Sequence, residues 1–247
     1  MKHLVSIHDM SLEEVIKIFD IAKRLKVYTK ENVQHNILRG KILGMIFSKP
    51  STRTRVSFEA GMYQLGGTSL FLNSSDIQLG RGESIYDTSM VLSRYINCIM
   101  IRTYKHNDVE ELAKYGSIPI INGLTDLMHP CQALTDLFTV YEHKGKLEGL
   151  KFAYVGDGNN VANSLLHLCA KIGVNITVAS PSGYKCNENV IHEAQHDAKK
   201  TGAEVVVTGD PIEAIHNADI VCTDTWVSMG EEEKKEERIK KVFTLPS

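Results

Sequence analysis

Short apolar runs alternate along this chain with segments whose apolar positions recur at helical spacing, almost from end to end. Residues 41–47 form a nearly continuous apolar run that predicts a buried strand, and the same reading applies to 68–72, 98–101 and 118–121. Pro119 in the fourth run predicts a first-residue or edge position, because proline brings no N–H to a ladder. Ser11-Leu12-Glu13-Glu14 is a capping box, and the helix it opens carries Leu12, Val15, Ile16, Phe19 and Ile21. Further helices are predicted after Ser51, over 84–95, from Asn107, and from His129-Pro130 to about Glu142. Residues 73–82 read as a polar loop. His143-Lys144-Gly145-Lys146 reads as a link, beyond which the pattern restarts. Strands are predicted at 152–155, 176–178, 205–207 and 220–222, with helices at 162–171, 187–200 and near Ile212. Repeated strand–helix units imply parallel sheets. The fold class is therefore α/β, with two doubly wound domains, 1–144 and 145–247, and an active-site cleft between them.

The 247 residues suffice for two ordinary domains, and 43% apolar with 23% charged residues is a common globular composition. A net charge of -2 does not suit a broad nucleic-acid or anionic-membrane surface. No run is long enough to span a bilayer, and residues 1–14 hold no signal-peptide core. Cys98, Cys131, Cys169, Cys186 and Cys222 are scattered, odd in number and without Cys-x-x-Cys, which points to free thiols in the cytoplasm. The charged run 231–241 reads as a solvated helix face.

Candidate chemistry sits where strands end, since ligands of open parallel sheets collect at the strands' carboxyl ends. Ser51-Thr52-Arg53-Thr54-Arg55 joins a strand to a helix start. Hydroxyls, free amides, the helix dipole and two guanidiniums there make an anion site. Arg102 ends the third strand, and His129-Pro130-Cys131-Gln132 opens the helix after the fourth. In the second half, Gly156-Asp157-Gly158-Asn159-Asn160, Asn163 and 224–230 offer amides, hydroxyls and carboxylates. An anion cradle facing such groups suggests two substrates, one phosphorylated and one bearing an ammonium.

Gly156-x-Gly158 begins like a dinucleotide fingerprint, but Val161 holds the third glycine's place and no acidic residue follows the next strand. No phosphate-binding Gly-Lys-Ser/Thr loop occurs. Cys131 at a helix start is a candidate nucleophile without an evident base. The histidines and cysteines show no metal-ligand spacing, so no metal and no cofactor is expected.

Ser51-Thr52-Arg53-Thr54-Arg55, Arg102-Thr103-Tyr104, His129-Pro130-Cys131-Gln132-Ala133-Leu134 and Asp224-Thr225-Trp226-Val227-Ser228-Met229-Gly230 together resemble the ornithine carbamoyltransferases, over nearly the whole chain. The resemblance implies carbamoyl phosphate and L-ornithine as substrates, a homotrimer or a multiple of trimers, and a role in arginine metabolism. By motif, Ser51, Thr52, Arg53 and Thr54 would hold the phosphate, and Arg102, His129 and Gln132 the carbamoyl group. Arg102, His129 and Thr54 would be the catalytic donors. Gln78 resembles the residue that reaches into a neighbouring subunit's site. Asn163, Asp224, Ser228 and Met229 resemble the ornithine contacts. The family pattern continues beyond Ser247 with a His-Cys-Leu-Pro strand and a final helix, which Phe243-Thr244-Leu245-Pro246-Ser247 echoes only weakly. The second domain is thus expected to be incomplete. A non-catalytic carbamoyl-phosphate-binding subunit and a putrescine carbamoyltransferase stay open as alternatives.

Overall fold

The computed structural model describes residues 2–225. Trp226, Ser228, Met229, the charged run 231–241 and the tail 243–247 lie outside the described residues. The chain divides into two compact units, up to Asp126 and from Leu127 on. By contacts, the helix after His129 therefore groups with the second unit, ahead of the 144/145 boundary read from the sequence.

In the first unit, α1 (Leu12–Lys30) leads to β1 (Ile42–Phe47), α2 (Thr52–Gln64), β2 (Thr68–Asn73), α3 (Ile85–Leu92), β3 (Cys98–Arg102), α4 (His106–Tyr115) and β4 (Ile120–Leu124). The capping box of α1 is closed at both ends: the Glu14 N–H donates to Ser11 Oγ and the Ser11 N–H to Glu14 Oε2. Its buried face is narrower than the spacing suggests. Val15 and Phe19 are buried, whereas Leu12 and Ile16 stay exposed. The expected loop 73–82 contains a 3-10 helix, Gln78–Arg81.

The sheet order is β2-β1-β3-β4, with every pairing parallel. Alternation along β1 feeds two cores. Leu43, Met45 and Phe47 meet Met62 of α2 and Met100. Ile46 on the other face joins Ile99, Ile101, Ile120 and the α4 residues Val109 and Leu112. Strands buried on both faces read as unbroken apolar runs, which is why periodicity alone located them. Pro119 lies just before β4, an edge strand of its sheet, where its missing N–H costs no ladder bond. The outer side of β4 is covered: Leu4 pairs with Ile121 in parallel, its N–H on Ile120 O at 2.8 Å and its carbonyl on the Asn122 N–H at 2.8 Å.

The second unit runs α5 (Pro130–Lys144), β5 (Lys151–Val155), α6 (Asn160–Ile172), β6 (Asn175–Ala179), α7 (Glu188–Thr201), β7 (Val205–Thr208), α8 (Pro211–Ile215) and β8 (Ile220–Cys222). Its parallel sheet has the order β7-β6-β5-β8. Helix α6 is buried from Val161 through Ala170. Among the described residues no helix is long and apolar enough to cross a membrane.

Both sheets reverse direction once. From β1 the chain steps outward to β2, then returns to the other flank with β3; from β5 it steps to β6 and β7, then returns with β8. Ligands of such sheets bind beyond the carboxyl ends of the two strands flanking the reversal. The loops after β1 and β3, and after β5 and β8, are therefore where chemistry belongs.

Candidate active site

In the first unit the reversal places Phe47 opposite Arg102. The Arg102 carbonyl accepts the Ser48 N–H at 2.8 Å, tying the loop after β1 to the end of β3. A register shift between Ile101 and Arg102 sets Arg102 opposite Leu124, and such irregularities re-aim a side chain at a strand end. Ser51 caps α2 in an extended conformation, taking the Thr54 N–H on its Oγ at 3.3 Å. The hydroxyls of Ser51 and Thr54 are 3.1 Å apart, and Arg102 Nη1 donates to Thr54 Oγ1 at 3.5 Å. Ser51, Thr54 and Arg102 are thus brought together at the dipole-positive end of α2.

Arg102 is only 3% exposed, and its Nε has no hydrogen-bond partner. Burial pulls its pKa below the ordinary guanidinium value, and the neighbouring charge of Arg53 adds to the effect. Two cations held close on a helix N-terminus relax when an anion binds between them. Thr52 and Arg53 are exposed in the first turn of α2. The two arginines of the motif part company here. Arg55 bonds Glu59 Oε1 at 3.0 Å and stacks on the Phe71 ring at 3.8 Å, so it is a surface clamp between α2 and β2 and not a second grip on an anion.

Lys49 was not anticipated from the sequence. It is buried, 3.4 Å from Asp126 Oδ1 and 5.2 Å from the centre of the Tyr104 ring, and it adds positive charge to the loop between β1 and α2. A buried lysine in a strand–helix loop carries no local signal that separates it from a solvated one. Gln78 is exposed at the start of the 3-10 helix, where its carbonyl takes the Glu83 N–H at 3.1 Å.

In the second unit, His129 stands at the N-cap of α5 with Pro130 at the first helical position, as helix starts favour. Its N–H donates to Ser164 Oγ at 2.8 Å, which fixes the start of α5 against α6. Gln132 donates its Nε2 to Asp136 Oδ1 at 2.8 Å, leaving a second N–H and the amide oxygen for other partners. Burial raises the pKa of Asp136, the bond from Gln132 opposes the rise, and the charge of Asp224 reinforces it. Burial pushes the pKa of the Cys131 thiol up to about 12, away from the thiolate form a nucleophile needs.

The second reversal gathers Asn159 and Asp224. Asn159 caps α6, its Oδ1 accepting from the N–H groups of Val161 at 2.9 Å and Ala162 at 3.2 Å. Its Nδ2 donates to Asp224 Oδ2 at 2.9 Å, while Asp224 Oδ1 takes the Thr225 N–H at 2.8 Å. Asn163 is buried, donating to Leu127 O at 3.0 Å and accepting from the Asn187 N–H at 3.3 Å, so both ends of its amide are engaged within the protein. The sequence reading placed Asn159 in the loop after β5 as one of its amides, without the role of helix cap and Asp224 partner that the structure gives it. The signal was present, an asparagine just ahead of an apolar helix. Gly158 has a structural cause of its own, because the 185–186 backbone lies where its Cβ would be; a dinucleotide loop is not needed to explain it.

Comparison with known proteins agrees with this division of labour. The sequence model described as "Aspartate/ornithine carbamoyltransferase, carbamoyl-P binding domain" matches residues 2–142, and that described as the "Asp/Orn binding domain" of the same family matches 148–244. An ornithine carbamoyltransferase of Anoxybacillus flavithermus is 55% identical over 238 residues, 96% of this chain and 76% of the relative. One from Caldicellulosiruptor saccharolyticus is 52% identical over 97% of this chain and 78% of its own length. Among solved structures, the ornithine carbamoyltransferase of Pyrococcus furiosus is 45% identical, with a TM-score of 0.91 over 100% of this chain and 85% of its own. Sequence identity above one half, sustained over nearly all of the chain and matched in three dimensions, means that the protein belongs to the aspartate/ornithine carbamoyltransferase family.

Proposed function

We propose that this chain transfers the carbamoyl group of carbamoyl phosphate to the side-chain amine of L-ornithine, giving L-citrulline and phosphate. The observation that carries the reading is the contact of Arg102 with Thr54 where the first sheet reverses, beside a capped helix N-terminus. The neutral amine attacks the carbamoyl carbon, a C–N bond forms, the C–O bond to phosphate breaks, and the amine nitrogen gives up a proton. Negative charge grows first on the carbamoyl oxygen and then on the leaving phosphate. Arg102, His129 and Thr54 stabilise the first charge, with Gln132 orienting the carbamoyl amide. Ser51, Thr52, Arg53 and the α2 N-terminus hold the second. Asp224 pairs with the α-ammonium, leaving the distal amine free to react. Ser228 and Met229 complete the ornithine contacts, and Asn163 joins them by exchanging one of its present bonds.

The carbamoyl-phosphate domain is residues 1–144 and the amino-acid domain 145–247 in this reading. All five cysteines are free, which suits the cytoplasm, and citrulline places the reaction in arginine metabolism. A homotrimer, or a multiple of trimers, accounts for large apolar side chains left exposed on neighbouring elements: Val56 and Tyr63 on α2, Leu70 and Phe71 on β2, Tyr86 and Val91 on α3. Gln78 then serves an adjacent subunit's site. Light scattering is expected to return a multiple of three chains.

Colorimetric citrulline assays test the reaction, with putrescine as the competing amine; folded protein that binds carbamoyl phosphate without forming citrulline overturns it. Calorimetry tests the cradle. Arg53→Ala is expected to weaken carbamoyl-phosphate binding at least about tenfold, the scale of one charge-assisted contact. Arg55→Ala should leave it within about twofold, since an exposed clamp contributes little elsewhere. Equal losses for the two variants would mean the anion sits on a different face of α2.

A further inference from the structure

A carboxylate grips an ammonium only if its oxygens keep their aim. Burial raises the pKa of Asp136 on α5, Tyr154 on β5 and Cys222 on β8, and the charge of Asp224 reinforces each rise, with Asp157 in the loop after β5 in the same cluster. Two donors fix the two oxygens of Asp224: the Thr225 N–H holds Oδ1 and Asn159 Nδ2 holds Oδ2. Of these, Asn159 is a side chain with no freedom to turn. Its oxygen is held by the Val161 and Ala162 N–H groups and faces the Tyr154 hydroxyl at 3.4 Å, so its nitrogen can only point at Asp224 Oδ2. Tyr154 is fully buried and burial raises its pKa, which keeps the hydroxyl protonated as a donor to that oxygen.

We propose that Asn159 is a positioning residue for the amino-acid substrate: it locks the N-terminus of α6 to Asp224 and holds Asp224 as the charged partner of the substrate ammonium. Asp136 also accepts a side-chain amide N–H, from Gln132, while burial raises its pKa. The inference rests on the reading of Asp224 as the ammonium site.

The test compares the binding of L-ornithine and of 5-aminovalerate by calorimetry. Asn159→Ser keeps a cap for α6 but cannot reach Asp224. It is expected to weaken L-ornithine binding about tenfold at neutral pH. Binding of 5-aminovalerate, which lacks the α-ammonium, should be unaffected, and affinity for carbamoyl phosphate should not change. Equal losses for L-ornithine and 5-aminovalerate, or for L-ornithine and carbamoyl phosphate, overturn the proposal. Should Asn159→Ser fail to fold, Asn159→Thr also keeps a capping hydroxyl for α6 without reaching Asp224; the same outcomes decide. Asp224→Asn separates the layers. If it leaves L-ornithine affinity intact, the ammonium site itself is misassigned; if it abolishes binding while the Asn159 variants do not, only the positioning role falls.

Discussion

Arg102→Met is expected to lower the rate of citrulline formation about a hundred- to a thousandfold while leaving the melting temperature unchanged or higher. The rate loss is that of removing one preorganised donor from a developing oxyanion, on the order of 3–4 kcal/mol. The stability expectation comes from the cost that Arg102 imposes on the resting protein. Its guanidinium is buried, has no carboxylate partner among the described residues, leaves Nε unbonded and lies near the charge of Arg53. Removing a buried, uncompensated cation relieves desolvation, and a methionine stem refills much of the volume. Arg102→Lys should recover charge but little rate, because an ammonium cannot reproduce the planar fork. Steady-state kinetics and calorimetry on the three proteins check this. A melting point lowered by many degrees in Arg102→Met would show that the arginine is chiefly a structural strut.

Gly158→Ala is expected to be the most damaging small change in the second unit. The glycine is not in the left-handed region, so backbone conformation is not the obstacle; space is. A methyl group there would overlap the peptide between Lys185 and Cys186 and lie 2.8 Å from Cys186 Cα. Backbone cannot swing aside as a flexible side chain can. The Gly158 N–H also donates to Tyr184 O at 2.7 Å, so the two loops are pinned together at the point of overlap. The cost should reach about 3 kcal/mol, a fall in melting temperature on the order of 6–12 °C for a chain of this size. Since Asn159 is the next residue, L-ornithine affinity should drop with it, whereas carbamoyl-phosphate affinity should hold. Thermal melts with paired binding titrations read both effects. A melting point within a degree or two of the parent would show that the 185–186 segment yields easily.

The central strands β1, β3 and β5 were legible because burial leaves runs of apolar residues, and the more exposed β2, β7 and β8 because β-branched or apolar residues still run together there. Helix starts were legible wherever a capping residue stood, as at Ser11, Ser51 and Ser84. Helix faces were less so. Leu12 and Ile16 have the spacing of core positions yet remain exposed, since spacing records a possible face and not which neighbour covers it. The anion site could be read as a set of residue types at a strand–helix junction, but the motif could not say that Arg55 turns to Glu59 and Phe71 while Arg53 does not. That depends on β2, which lies beside α2 only after the sheet has formed. Lys49, Asp136 and the role of Asn159 escaped for a related reason. Each gains its importance from a partner far along the chain, Asp126, Asp224 and Asp224 again, and such pairings leave no trace in local pattern.

The parallel bridge from Leu4 to the outside of β4 gives the opening residues of this chain a protective duty. They sheathe a strand that would otherwise offer a bare row of amides and carbonyls to any extended peptide nearby. Replacing Leu4 by proline would remove the N–H that Ile120 O accepts, loosen that sheath and invite chains to stack edge to edge.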